Sequence, residues 1–276
     1  MEMRFVTDHI RYQRMNTEEL RQEFLIDSLF QPGRIDLVYS EIDRAVIGSA
    51  VPGDKPQELP CPDQLRAEYF CQRRELGIIN IGQSGTVIVD GERYSMPNRH
   101  CLYIGRGSKT VGFESAQPEQ PAAFYLLSYP AHTSYPTAHA TPDDATQKHL
   151  GNPENCNERS LYQYIHPDGL KSCQLMMGFT EVPKGSNWNT MPCHAHPRRS
   201  EVYLYFDMPE KQLVFHLFGK PDQTRHLVVR DRQVVVSPMW SIHSGVGTAP
   251  YCFVWGMGGE NQRFDDMDPV DLDTMR

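Results

Sequence analysis

The sequence predicts an all-β protein made of two small barrels, with one short helix near the N-terminus. Three observations lead to this fold class. Short runs rich in Val, Ile, Tyr and Phe recur from about residue 35 and are separated by Gly and Pro turn signals, which is typical of sandwiches and barrels. A single amphipathic stretch with helical spacing precedes these runs. The two halves of the chain also look like weak copies of one another.

The helix is predicted over residues 16–30. Asn16 or Thr17 can cap its N-terminus, because a side-chain oxygen at that position accepts from a free backbone N–H. Acidic residues early in the stretch suit the positive end of the helix dipole. Apolar residues at helical spacing form one face, and Pro32-Gly33 ends the run.

The strands fall into two groups. The first group includes residues 35–48, 76–96 and 100–107, with Asp90-Gly91 as a tight hairpin turn. Residues 130–170 are rich in Pro, His, Thr and Asn, and we interpret them as the connection between two halves. Strand-like runs then resume and continue almost to the C-terminus.

Two alignments support an internal repeat. Residues 69–81 can be laid on 194–206, and residues 86–97 can be laid on 226–238. The resulting domain prediction is an N-terminal barrel over 1–150 and a C-terminal barrel over 151–276. At the positions of the candidate metal ligands in the second copy, the first copy offers no imidazole but Tyr69, Cys71 and Glu75. We therefore expect the N-terminal barrel to be free of metal.

Composition excludes several classes of function. The net charge of −8 argues against nucleic acid or an anionic membrane as the main partner, since both require a basic face. No apolar run approaches the roughly 20 residues that span a bilayer. The N-terminus lacks the apolar core of a signal peptide. Seven cysteines without a CxxC pair favour reduced thiols, so we expect a cytoplasmic protein.

The informative motif begins at His194-Ala195-His196. Residues two apart on a strand point to the same face, so both imidazoles project into one space. Pro197 forces a turn, and Glu201 opens the next strand, from which its carboxylate can return beside the imidazoles. His243 lies on a later strand. Imidazoles with one carboxylate suit zinc, manganese or iron in a site with an open coordination position.

The alternative to metal binding is a purely structural role for these histidines. A single histidine in a strand is usually a packing or surface residue, and an HxH pair alone is a weak signal. The full set of three histidines and one glutamate in an all-β chain is far more specific for metal. His216 and His226 lack the spacing, and we expect them to pack or to face solvent, although His226 could lie near the site.

Longer strings resemble a known family. They are RRELGIINIG, YPTAHATPDD, WNTMPCHAHPRRSEVY, SPMWSIHSGVGT and GENQRFDDMD. The HxHxxxxE pattern with a later histidine is similar to that of the cupin superfamily, and the strings resemble its 5-keto-4-deoxyuronate isomerases, also called 4-deoxy-L-threo-5-hexosulose-uronate ketol-isomerases. The resemblance covers nearly the whole chain.

The resemblance implies two cupin-type barrels (a bicupin), a homohexamer and one Zn2+ per subunit held by His194, His196, Glu201 and His243. Mn2+ and Fe2+ remain open as alternatives. The implied activity is an aldose–ketose isomerisation in pectin breakdown, which takes 5-dehydro-4-deoxy-D-glucuronate to 3-deoxy-D-glycero-2,5-hexodiulosonate. The expected partners are this small uronate and other copies of the chain.

The isomerisation needs a group that moves a proton, and the sequence leaves four candidates open: Glu181, Tyr203, His226 and Glu260. The substrate carboxylate needs a cation, for which Arg198, Arg199 and Arg225 are candidates, since arginine offers a bidentate fork. Two tryptophans beside the ligand segments are candidate pocket walls: Trp188 and Trp240. The structural alternatives are salt bridges for the arginines and core packing for the tryptophans.

Two rival functions stay open at this point. The same ligand set serves metal-dependent cupin dioxygenases, so the four residues alone do not select isomerisation. A non-catalytic sugar-binding or storage cupin is the second rival, against which the intact ligand set argues.

Overall fold

The computed structural model describes residues 1–5, 7–260 and 262–276. Within these ranges it contains 24 strands, one α-helix and five short 3-10 helices. The predicted all-β class is confirmed. No helix in the described ranges has the length and hydropathy needed to cross a membrane.

All the strands are between two and nine residues long. The strands up to residue 140 are β1 (Glu2–Arg4), β2 (Leu25–Ile26), β3 (Ile35–Ser40), β4 (Val46–Ala50), β5 (Gln57–Glu58), β6 (Arg74–Asn80), β7 (Gly85–Val89), β8 (Glu92–Met96), β9 (Cys101–Ile104), β10 (Val111–Ser115), β11 (Phe124–Pro130) and β12 (Ala138–Ala140). The strands after it are β13 (Thr146–Leu150), β14 (Arg159–Ile165), β15 (Met176–Val182), β16 (Trp188–Asn189), β17 (His194–Ala195), β18 (Arg199–Phe206), β19 (Val214–Lys220), β20 (Gln223–Val229), β21 (Val234–Ser237), β22 (Ile242–Gly247), β23 (Tyr251–Gly259) and β24 (Asp268–Pro269).

The α-helix, α1 (Thr17–Phe24), begins at a capping box. The Glu19 N–H donates to Asn16 Oδ1 at 3.0 Å, and the Asn16 N–H donates to the Glu19 carboxylate at 2.8 Å. The prediction of a helix as far as residue 30 is wrong. The helix ends at Phe24 because the next two residues leave it to pair as β2 with β21. The 3-10 helices are Arg11–Arg14, Ile42–Arg44, Asp63–Leu65, Phe70–Gln72 and Leu272–Thr274.

The chain forms two compact units. Unit 1 comprises Met1–Arg4, Ser28–Ala145 and Tyr164–Met176, and unit 2 comprises Phe5–Asp27, Thr146–Gln163 and Met177–Arg276. The predicted domain division at residue 150 stays a prediction. The units differ from it in assigning the N-terminal helical segment to unit 2 and a short piece beyond residue 150 to unit 1.

Unit 1 has a seven-stranded sheet, in the order β1-β3-β4-β11-β6-β9-β12, and a four-stranded sheet, in the order β5-β10-β7-β8. Both sheets contribute side chains to one apolar core, among them Leu76 and Ile78 from β6 and Phe113 from β10. The predicted Asp90-Gly91 hairpin is confirmed, since β7 and β8 pair across it and both turn residues have positive φ.

Glu75 lies beside this core rather than in it. Strand alternation turns its side chain to the face of β6 opposite Leu76. Its buried carboxylate accepts from the Tyr103 hydroxyl at 2.8 Å and from the backbone N–H groups of residues 173–175 at 2.7–2.8 Å. These partners satisfy both carboxylate oxygens, so Glu75 acts as a structural bridge inside unit 1.

Unit 2 repeats the plan. Its seven-stranded sheet has the order β13-β14-β15-β23-β18-β21-β2, and its four-stranded sheet has the order β16-β22-β19-β20. The inner faces of the two sheets meet through aromatic and imidazole rings. The ring centroids of Tyr203 on β18 and His243 on β22 are 5.6 Å apart. This interior carries the site described below.

Two sequence interpretations need correction. The alignment of residues 86–97 with 226–238 is wrong, because β7 and β8 share one sheet whereas β20 and β21 lie in different sheets. Residues 130–170 are more than a connection, because they contain β12, β13 and β14. The last two of these strands form one edge of the large sheet of unit 2, where their polar composition suits a partly exposed edge.

Candidate metal centre

Four side chains from three strands and one turn converge inside unit 2. His194 lies on β17, and His196 follows in the turn that leads into β18, where the Arg199 N–H donates to the His196 carbonyl. Glu201 lies two residues inside β18, and its side chain points to the interior. His243 reaches the same space from the opposite sheet, where β22 pairs with β19.

The potential ligand atoms of these residues all lie within 4.8 Å of one another. The Nε2 atoms of His196 and His243 are each 2.9 Å from the Glu201 carboxylate, and the Nε2 atoms of His194 and His243 are 3.2 Å apart. Three of the four side chains are buried, and His194 is partly exposed. The structure therefore brings the four predicted ligands together as a group that could hold a metal ion.

The hydrogen bonding of His196 fits this interpretation. Its Nδ1 lies 2.9 Å from the Arg199 carbonyl oxygen, which can only accept, so Nδ1 carries a proton. In the neutral ring the lone pair of Nε2 then points at the Glu201 carboxylate, which is also an acceptor. A cation between them removes this conflict, and a backbone carbonyl that fixes the tautomer is a common partner of a ligating histidine.

The electrostatics favour the ligand forms of His194 and Glu201. Burial and the neighbouring His243 lower the pKa of His194 to about 3, so its imidazole is neutral. Burial alone would raise the pKa of Glu201, but the neighbouring His243 and His196 hold it well below its usual value. A neutral imidazole and an ionised carboxylate are the forms that bind a divalent cation.

Three of the four residues line a cavity of about 320 Å³ within unit 2. His194, His196 and Glu201 line one part of it, and apolar side chains from β23 line much of the rest. Its walls are formed by Lys148, Leu150, Arg159, Leu161, Gln163, Thr180, Thr190, His194, His196, Arg199, Glu201, Tyr203, Phe253, Trp255, Met257, Phe264 and Met267. The size and mostly apolar lining are typical of a small-molecule site.

Of the four candidate proton carriers, Tyr203 lines the cavity. Its hydroxyl is 3.0 Å from Thr190 Oγ1, and burial together with the Glu201 charge raises its pKa well above the ordinary value. A protonated phenol beside the candidate ligand Glu201 can donate a hydrogen bond to a bound substrate oxygen.

The other three candidates do not line the cavity. Glu181 neighbours the cavity residue Thr180 on β15, so alternation turns it to the opposite face, where it accepts from the Tyr162 hydroxyl at 3.2 Å. His226 is exposed on β20, with its ring 5.9 Å from that of Phe215. Glu260 is exposed and forms an ion pair with Arg198.

The arginines of the ligand segment are already engaged. Arg198 is exposed in its ion pair with Glu260. Arg199 lines the cavity, but its guanidinium is buried and binds Asp266 through two nitrogens, at 2.7 and 3.2 Å. Asp266 lies far along the chain, so the local sequence gave no sign of this pairing.

The two candidate tryptophans lie outside the cavity. Trp188 is half-buried on β16, where it pairs with Val246. Trp240 packs against Tyr12, with ring centroids 4.7 Å apart, and so anchors the N-terminal segment on unit 2. A different tryptophan, Trp255 on β23, lines the cavity.

Sequence reasoning missed the polar residues on the edge strands. Lys148 on β13 and Arg159 on β14 line the cavity, as do Gln163 and Thr180. The interpretation of residues 130–170 as a connection hid Lys148, Arg159 and Gln163, whereas Thr180 lies on a predicted strand without any motif that marks it. The alternation in Arg-Ser-Leu-Tyr-Gln-Tyr-Ile over β14 was the available signal, because it places Arg159 and Gln163 on one face.

Comparison with known proteins gives a consistent result. The model of the KduI/IolB family matches residues 29–272. The chain is 52% identical to the 4-deoxy-L-threo-5-hexosulose-uronate ketol-isomerase of Lachnoclostridium phytofermentans over 276 residues, which is 100% of both chains. It is 51% identical to the protein of the same name from Halalkalibacterium halodurans, again over 100% of both chains.

A solved structure supports the fold. The crystal structure of an IolB-like protein from Salmonella typhimurium superimposes with a TM-score of 0.73 over 90% of this chain and 97% of that chain. The identity is 14%, so this likeness speaks for the fold alone.

Proposed function

The chain belongs to the KduI/IolB family, and we propose that it is a ketol-isomerase acting on 4-deoxy-L-threo-5-hexosulose uronate, the open-chain form of 5-dehydro-4-deoxy-D-glucuronate. The product is 3-deoxy-D-glycero-2,5-hexodiulosonate. The reaction moves the carbonyl from C1 to C2, as required in the breakdown of pectin-derived uronates. The observation that carries the proposal is the group of three histidines and one glutamate at a largely apolar cavity, in a chain about half identical to relatives of that name.

The metal in this proposal is zinc, one ion per subunit, held by His194, His196, Glu201 and His243. Imidazoles and carboxylates are donor types that zinc prefers, and substrate oxygens would add to this set when bound. When bound there, zinc would supply Lewis-acid polarisation of the substrate's C1 and C2 oxygens.

Tyr203 is the side chain that we assign to proton handling. It lies within the cavity, is protonated at neutral pH, and has Thr190 Oγ1 as a second partner for its hydroxyl. It can donate a proton to the C1 oxygen, which becomes a hydroxyl, and recover one from the C2 hydroxyl, which becomes the carbonyl, while the hydrogen on C2 is transferred to C1.

The apolar wall has a separate role. Phe253, Met257 and Leu161 line the cavity and offer no hydrogen bonds that would compete for the substrate. They exclude water from the reacting carbons, and this strengthens the electrostatic interactions made by the polar residues.

The proposal is tested by incubating the purified protein with the unsaturated uronate breakdown product and following C1 and C2 by NMR, with bound metal measured in the same sample. We expect the aldehyde signal to be replaced by a ketone signal and about one zinc per chain. Oxygen consumption during turnover would instead indicate a dioxygenase and overturn the proposal.

The variant His194→Ala, compared with a control at another histidine, distinguishes the loss of a metal ligand from the loss of any histidine. We expect it to lose most bound metal and at least about 100-fold in kcat/KM, because a ligand and its Lewis-acid contribution are removed together. His226→Ala is the matched control, since His226 is exposed on β20, and it should keep both. A His194→Ala protein that isomerises normally without metal would contradict the Lewis-acid role.

The assembly and the compartment complete the proposal. A homohexamer is what the family resemblance implies, and the seven cysteines without a CxxC pair favour the cytoplasm. Light scattering on the eluting protein measures the subunit number directly, and a mass other than six subunits would rule the hexamer out.

A further inference from the structure

Arg159 is the notable cation of the cavity. It lies on β14, half-buried, and its guanidinium donates to the Asn157 carbonyl at 2.8 Å. Among the residues the structure describes, no carboxylate pairs with it. The other candidate arginines differ, since Arg199 binds Asp266 and Arg225 donates to the backbone of Gln13.

Two buried polar residues lie near Arg159. Gln163 faces the same side of β14, is only 3% exposed and lines the cavity. Thr180 on the neighbouring strand lines the cavity as well, and its Oγ1 is buried without a partner in the described ranges. Buried polar groups without partners are uncommon and cost stability, so they point to a ligand that completes them.

The position of this cluster fits one end of an extended substrate. The sheet order β14-β15-β23-β18 separates Arg159 from Glu201 by three strand spacings of about 4.8 Å each. The long arginine side chain covers part of that distance. Arg159, Glu201 and Tyr203 line the same cavity. The remaining gap suits the carbon chain of a hexosulose.

We propose that Arg159 binds the carboxylate of the uronate substrate, with the Gln163 amide donating to the same end, while the C1 and C2 oxygens lie at the metal centre. The substrate then lies across the strands of the large sheet, and Arg159 decides that the enzyme takes a uronate rather than a neutral sugar. This inference rests on the proposed isomerase function and names its specificity residue.

The test compares Arg159→Gln with Arg159→Lys and with Arg225→Gln, an arginine outside the cavity. We expect Arg159→Gln to raise KM and to lower kcat/KM about 100-fold, because a charge-assisted, bidentate contact is lost. Arg159→Lys should recover part of this loss, Arg225→Gln should match the wild type, and all three should keep their bound metal. A kcat/KM for Arg159→Gln within threefold of wild type would overturn the inference.

A neutral substrate analogue, with a primary alcohol in place of the C6 carboxylate, distinguishes recognition from folding. The wild type should prefer the uronate strongly, Arg159→Gln should lose that preference, and Gln163→Leu should reduce it about tenfold. A merely structural Arg159 would lower both activities together and leave their ratio unchanged, which would count against the inference.

Binding experiments separate this inference from the proposed reaction. Calorimetry with the metal-loaded wild type should detect D-glucuronate and not D-glucose, and Arg159→Gln should lose the glucuronate signal. A wild type that binds glucuronate through Arg159 but does not isomerise the hexosulose uronate would refute the function and keep the carboxylate site. If Arg159→Gln still isomerises the substrate and keeps the uronate preference, the proposed function stands and the carboxylate site is refuted.

Discussion

Units 1 and 2 are built on the same plan, a seven-stranded sheet and a four-stranded sheet, yet their interiors have opposite chemistry. The interior of unit 1 is an apolar core to which both sheets contribute. The interior of unit 2 contains histidines, tyrosines and a glutamate, several of them completely buried. The scaffold is therefore compatible with either a packed core or a site, and a few inward positions decide which one forms.

The first residues of β6 and β18 show where the side chains of the two units differ. β6 begins with the buried Arg74 and then turns Leu76 inward, whereas β18 begins with the buried Arg199 and then turns Glu201 inward. Arg74 is held by the Ser128 carbonyl and hydroxyl, at 2.8 and 3.1 Å. The inward Leu76 thus takes the place of the candidate ligand Glu201, so the prediction that placed Glu75 at that position is wrong by one residue.

Glu201→Leu transfers the residue of unit 1 into the site of unit 2. We expect bound metal to fall below about a tenth of an ion per chain and kcat/KM to fall at least about 1,000-fold, because the metal contributes several kcal/mol to the transition state. Metal analysis and steady-state kinetics measure both effects. Glu210→Leu, at an exposed glutamate of the same unit, should change neither. Full metal content in Glu201→Leu would show that the two interiors differ for another reason.

Tyr203→Phe tests the next inward position of β18, where β6 has Ile78. We expect kcat to fall about 100-fold, within the range for a lost proton donor, and bound metal to stay at the wild-type level. Tyr205→Phe is the matched control, since Tyr205 is buried on the same strand but bonds His216 instead of facing the cavity. If the two variants lose activity equally, Tyr203 has no special role in proton transfer.

Glu75→Gln probes the carboxylate of unit 1 and has the smallest expected effect. An amide has one acceptor oxygen, so its NH2 group would face backbone N–H donors that now bind a carboxylate. We expect the free energy of unfolding to fall by about 2 kcal/mol, measured by urea denaturation, with bound metal unchanged. Glu119→Gln, at an exposed glutamate of unit 1, should be neutral. Loss of metal from folded Glu75→Gln protein would break the separation between the two interiors.

The sequence predicted the parts of the site that depend on local periodicity. The two-residue repeat of a strand places His194 and His196 on one face, and the turn at Pro197 explains how Glu201 returns to them. His243 could be chosen because it follows a strand signal. The all-β class followed from short strand runs between turn residues, for the same reason.

The parts that depend on distant pairing were not predictable in this way. Arg199 binds an aspartate 67 residues away, and Trp240 packs on Tyr12 from the N-terminal segment. Nothing in the local pattern distinguishes such an arginine from a substrate ligand. Arg159 was overlooked because a polar edge strand resembles a loop in composition, and its role is visible only once β14 is paired into a sheet.

The assignment of Phe5–Asp27 to unit 2 has a consequence for synthesis on the ribosome. The Tyr12 hydroxyl accepts from the N–H of Lys220, which is synthesised 208 residues later. In the same way, β2 cannot pair until β21 has been synthesised. An isolated helix as short as α1 is marginal in water. The first segment to emerge from the exit tunnel is thus among the last to find its place. We expect a nascent chain to keep this arm exposed to proteases and chaperones until almost the whole protein has been translated.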